Sequence, residues 1–172
     1  GLKAEALTFL YRVDEYKLAI EEQTKLKYKL YGEISVQAAY HEVLIANHYV
    51  SMDKHDDAYE HILKSYEILE SEDCKIYDKK DSLIVTSNLH ILEGQIWITT
   101  NPKGAEQALL KAVDEFNLTG QPGFAPLNNL GMLYYSTDRN FKKAAEYFIQ
   151  AKDALEKRGD NYSINYITTL NN

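Results

Sequence analysis

The chain has 172 residues, 45% of them hydrophobic and 26% charged, with a formal net charge of −7. That balance belongs to folded chains rather than disordered ones, and it speaks against a nucleic-acid phosphate surface, which needs clustered Lys and Arg. A single cysteine, Cys74, excludes an internal disulfide, no apolar run reaches the roughly 18 residues of a membrane span, and the first residues do not read as a signal peptide, so the expected location is cytoplasmic.

In chain order the hydrophobic spacing predicts helices throughout. A first copy of a helix pair covers residues 2–31, with a turn near 12–15. The second covers 35–71, as helices over 35–51 and 57–71 joined by a turn at 52–56. Residues 72–81 form a polar link containing Cys74. The third copy covers 82–118, with helices over 82–99 and 105–118 and a turn containing Pro102 and Gly104. Pro122 and Gly123 punctuate the next link. The fourth copy, 124–159, has a first helix over 125–136 with Pro126 in its first turn. Its second helix, 141–157, stops at Gly159.

The copies share one pattern. Ala19, Ala58, Ala105 and Ala144 are followed four residues on by Gln23, Ile62, Leu109 and Phe148, and seven on by Leu26, Ser65, Ala112 and Ala151. Eleven on stand Leu30, Leu69, Phe116 and Leu155. The alanines are 39, 47 and 39 residues apart. A period near 40 with helical offsets inside each copy marks a helical repeat array, in which small residues let two helices approach. Leu127-Asn128-Asn129 recurs as Leu170-Asn171-Asn172. The expectation is therefore a partial fifth copy at 162–172, a chain that is a piece of a longer protein, and self-association through uncapped ends.

Leu127, Leu130, Gly131 and Tyr134, followed by Ala144, Phe148 and Ala151, resemble the tetratricopeptide repeat, with one extra residue in the turn. The other copies match more loosely: Ala46, Tyr49, Ala58 and Ile62 fit in the second. In the third, Glu93 falls where a small residue is expected, unless the frame shifts to Gly94. The resemblance implies an all-α, right-handed superhelix of about four to four and a half antiparallel helix pairs, with a concave groove that binds a peptide or a partner protein. The Leu-Asn-Asn-Leu-Gly wording is similar both to kinesin-light-chain-type repeats and to the repeat domains of bacterial peptide-pheromone receptors, and does not choose between them.

Asn128 and Asn129 lie off the apolar face of their helix. An asparagine amide carries both donors and an acceptor, so it can pair with the backbone of an extended peptide; the alternative is a merely solvated helix residue. Asn47, His90 and Trp97 are candidates for the same groove, with Met132 and Tyr135 as its apolar floor, although tyrosines also serve as plain packing. His41 and His48 share a helical face, but the five histidines and one cysteine offer no converging tetrahedral set, so no metal is expected. Cys74 reads as a surface thiol without a positioned base, and the carboxylates as solvated helix faces. Neither a phosphate-cradling glycine loop nor a nucleophile elbow occurs, so neither cofactor nor catalysis is expected. The expected function is a non-catalytic scaffold for a protein or short peptide, without direct nucleic-acid or membrane binding. The alternatives are a peptide-sensing segment of a bacterial regulator, or an accessory domain of an enzyme whose catalytic part lies elsewhere.

Overall fold

The computed structural model describes residues 19–20, 22–76, 78–121, 123–157 and 159. The first helix expected in copy one and the partial copy at 162–172 lie outside the described residues. Residues 22–31 form α1. They are followed by α2 (Val36–Ser51), α3 (His55–Glu70), α4 (Lys79–Trp97), α5 (Pro102–Thr119), α6 (Phe124–Ser136) and α7 (Phe141–Lys157). Among the described residues the architecture is all-α, apart from an isolated bridge between Ser35 and Lys75. No helix among them is long and apolar enough to cross a membrane.

Helix starts follow local chemistry. Ser35 caps α2, its hydroxyl accepting from Ala38 N–H at 3.2 Å. Asp78 caps α4, accepting from Lys80 N–H at 2.9 Å. Asn101 caps α5, accepting from Gly104 N–H at 3.1 Å, with Pro102 in the first turn. Such caps satisfy amides that the helix leaves unpaired. They also explain why α4 and α5 begin before the expected positions 82 and 105: Asp78 draws the polar residues 79–81 into the helix, and Asn101-Pro102 does the same for 102–104. Gly120 closes α5 at a φ of 76°, in the left-handed region that glycine favours.

Short links (52–54, 98–101, 137–140) fold α2 onto α3, α4 onto α5 and α6 onto α7. Inside each pair the repeated residues meet. The alanines Ala58, Ala105 and Ala144 are buried, and so are Ile62, Leu109 and Phe148 one turn further on. Opposite them the partner helix carries a small residue. A Cβ placed on Gly94 would stand 2.6 Å from Leu109 Cγ, and one on Gly131 2.4 Å from Phe148 Cε1. In the α2–α3 pair, Ala46 and Ile62 share one core cluster. The third copy is thus framed on Gly94. Successive pairs then stack: α4 packs on both α2 and α6, and α5 packs on α6.

Two sequence expectations meet a different arrangement. The repeat residues Gln23, Leu26 and Leu30 of α1, and Ala19 before it, are exposed, Leu26 and Leu30 by 56% and 63%. This helix instead faces α2 with Thr24 and Tyr28, because its partners there are polar: Thr24 Oγ1 lies 2.7 Å from His41 Nε2, and Tyr28 donates to Glu42 Oε1 at 2.6 Å. The link after α3 is also more than a spacer. Lys75 N–H donates to Ile34 O at 3.2 Å and Lys75 O accepts from Val36 N–H at 3.3 Å, tying the link back to the start of α2. Cys74, a free thiol, is half-buried against the α2–α3–α4 core rather than fully on the surface, and burial raises its pKa.

The close approach at Gly94 yields the first prediction. An alanine in a helix is ordinarily up to about 1 kcal/mol better than glycine. At Gly94 the fully buried Leu109 blocks the added methyl, so Gly94→Ala is expected to lower stability by about 1–3 kcal/mol, as overpacking does. Urea unfolding followed by circular dichroism reads the sign; a stabilised variant would contradict the packing described.

Candidate functional site

The core face of α2 is Val36, Ala39, Val43 and Ala46. One position further round runs a second stripe, Tyr40, Leu44 and Asn47, which is exposed. This stripe lines two cavities that meet along α2. The first, about 290 Å³, is walled by Lys27 and Tyr31 of α1, by Gln37, Tyr40, His41 and Leu44 of α2, and by Asp81 and Ile84 of α4. The second, about 130 Å³, is walled by Tyr40, Leu44 and Asn47 of α2 and by Asn88, Ile91 and Leu92 of α4. Tyr40 and Leu44 line both, so the two cavities adjoin along α2 and are together termed the trough. Its walls are mainly apolar, with amides set into them. Asn88 Nδ2 donates to Ile84 O at 2.7 Å, which orients the amide. Two further cavities, about 280 and 240 Å³, are walled by α5, α6 and α7.

A buried polar cluster backs the trough. Glu42, adjacent to His41, is fully buried. It accepts from Tyr28 at 2.6 Å and His61 Nδ1 at 2.7 Å, and pairs with Lys64 Nζ at 2.8 Å. Burial alone would raise its carboxyl, but the hydrogen bonds from His61, Lys64 and Tyr28 outweigh burial and bring it down to about 2. The same contacts raise Lys64 against its own desolvation. His41 is pushed down by burial, with Lys27, Lys64 and His61 adding repulsion. The cluster joins α1, α2 and α3 and fixes the helix that carries the trough. Glu42 is therefore not one of the solvated carboxylates expected from sequence. No local pattern marks it, since its partners lie 14, 19 and 22 positions away.

The expected site residues separate into two groups. Asn47 lines the trough. Asn128 and Asn129 are half-buried on α6, where Met132 and Tyr135 are 37% and 52% exposed; Tyr135 also meets Phe141 edge-on at 5.6 Å. His90 and Trp97 turn inward. His90 is buried and bonds Glu115 of α5, Nδ1 to Oε2, at 2.8 Å, with the Tyr66 ring 6.3 Å away. Beside it burial raises the pKa of Glu93, which accepts a hydrogen bond from Tyr66. Trp97 packs half-buried against Ala105, Leu109, Leu130 and Leu133. Sequence reasoning missed Tyr40, Leu44, Asn88 and Ile91. Their signal was a second stripe on α2 and α4, offset from the core stripe and mixing large apolar side chains with amides.

No protein-family model, no curated protein and no solved structure matches this chain.

The Glu42 cluster sets an acid limb. In the unfolded chain this carboxyl titrates near 4.5, and in the folded chain near 2. Its contribution is complete above pH about 4.5 and drains away as the pH falls towards 2, because the unfolded state then binds the proton first. Relative to wild type, Glu42→Gln is expected to lose stability at neutral pH and to close that gap between pH 4.5 and 2.5. Urea midpoints across this range measure it; a constant gap would show that the charge of Glu42 contributes nothing.

Proposed function

We propose that this chain is a non-catalytic recognition module, a tetratricopeptide-like right-handed superhelix whose first helices present a groove to an extended peptide or protein segment. The observation that carries the reading is the trough shared by two cavities on α2 and α4, apolar in its walls and set with Asn47 and Asn88. On this reading α6 continues the same surface through Asn128, Asn129, Met132 and Tyr135. The resemblance of Leu127, Leu130, Gly131 and Tyr134 to the repeat signature supports it, as does the packing of α4 on both α2 and α6.

Recognition follows from the side chains. A rigid helix holds each amide at a fixed place, so a bound strand can exchange its water contacts for amide contacts without ordering the site anew. Tyrosine and leucine supply apolar area that a peptide side chain can cover.

Affinity selection from a random peptide library, followed by calorimetry, tests the proposal. Asn47→Ala combined with Asn128→Ala is expected to weaken a selected peptide at least about tenfold, since each partner left unsatisfied costs about 1–3 kcal/mol and 1.4 kcal/mol is one decade. The melting temperature is expected to stay within a few degrees. Unchanged affinity would remove these amides from the site.

A further inference from the structure

Within that trough the larger cavity carries a charge pattern of its own. Lys27, from α1, and Asp81, from α4, both line it. Among the described residues neither takes part in an ion pair. Lys27 Nζ lies 5.6 Å from the centre of the Tyr31 ring, an aromatic face that holds the ammonium beside the cavity. The same cavity is lined by Tyr31, Tyr40 and Leu44, exposed by 37%, 41% and 47%. Large apolar side chains left this open around a concavity mark a surface that gains by being covered. At about 290 Å³ the cavity is at the small end of ligand sites, a size suited to one side chain rather than a whole cofactor.

We propose, resting on the peptide-groove reading above, that this cavity takes one apolar side chain of a bound peptide whose flanking residues carry opposite charges, an acidic group meeting Lys27 and a basic group meeting Asp81. A cation from α1 and an anion from α4 give the cavity two unlike walls. A segment in the matching order gains two attractive contacts. In the reverse order it meets two like charges, and such repulsion is an effective source of specificity. The smaller cavity, walled by Asn47, Asn88 and Ile91, contributes no charge, so the direction of the ligand is set at Lys27 and Asp81.

The test uses the chain as it stands. Peptides selected from a random library are resynthesised in three forms: as selected, with the two flanking charges exchanged, and with both flanks neutral. Free leucine and free phenylalanine are further probes. Each is titrated against wild type, Lys27→Glu, Asp81→Lys, these two combined, and Tyr40→Ala at low and high salt. Wild type is expected to prefer one charge order over its reverse, by about two- to fivefold per charge as for exposed ion pairs, with the preference shrinking at high salt. Lys27→Glu combined with Asp81→Lys is expected to invert the preference, and Tyr40→Ala to weaken all forms. If the charge variants leave the preference unchanged while Tyr40→Ala still weakens binding, the charge assignment fails and the groove reading stands. If peptides bind but Tyr40→Ala has no effect, the ligand lies elsewhere and the cavity assignment fails. Free amino acids binding as tightly as the peptides would overturn the peptide as occupant. A selection that enriches nothing would remove both readings.

Discussion

A small residue on one helix facing a large one on the next is the contact on which the rest of this structure depends. Gly94 against Leu109 and Gly131 against Phe148 leave no room for a Cβ, and Ala46 shares its core with Ile62 in the same role. Each contact fixes where two helices cross and how far one can slide along the other. Close-packed interiors tolerate little change of volume, so the register of each pair is set by a few atoms. Because the pairs repeat the contact, α2, α4 and α6 fall side by side, and the stripe next to the core stripe on α2 and α4 becomes the wall of one trough. The site is thus a by-product of register.

Polar groups join what the apolar contacts do not. Three seams carry a tyrosine, a carboxylate and a cation or histidine. Tyr28, Glu42, His61 and Lys64 tie α1, α2 and α3. His90 and Glu115 tie α4 to α5, with Tyr66 and Glu93 beside them. Tyr134, Glu106 and Lys143 tie α5, α6 and α7. Hydrogen bonds between such groups are directional, and a buried carboxylate left without partners would be costly. They therefore reject helix arrangements that an apolar seam would accept. The first set also borders the trough: Glu42 follows His41 in the chain, and His41 lines the larger cavity, so the clamp that docks α1 also shapes the trough.

Much of the fold was legible because it is written locally. Three of the four alanine copies predict their buried faces, the turn at 137–140 and the helix at 141–157 fall where expected, and the Glu93-or-Gly94 ambiguity resolves on Gly94 because only glycine admits Leu109. The copy at α1 was misread: Leu26 and Leu30 have the right spacing, but partners distant in sequence, His41 and Glu42, decide which face turns inward. The same distance hid Glu42, whose neighbours come from α1 and α3. Among the candidate site residues, spacing separated Asn47, Met132 and Tyr135 from the core. It could not tell that His90 has a partner in Glu115, or that Trp97 fills the space beside Leu109. Tyr40 and Leu44 were passed over because large apolar side chains on a helix are first read as core, and their exposure emerges only when the first helices are set side by side.

The central claim is that ligand is received along α2 and α4, with the end of α1, and not by α3, α5 or α7. Intermolecular nuclear Overhauser effects from methyl-labelled protein to a selected peptide test it most directly. The account predicts contacts from the methyls of Leu44, Ile84 and Ile91, which line the trough, and none from Leu63, Leu110 or Ile149, which are exposed on α3, α5 and α7. Contacts confined to Leu63, Leu110 and Ile149 would contradict it and move recognition to α3, α5 and α7.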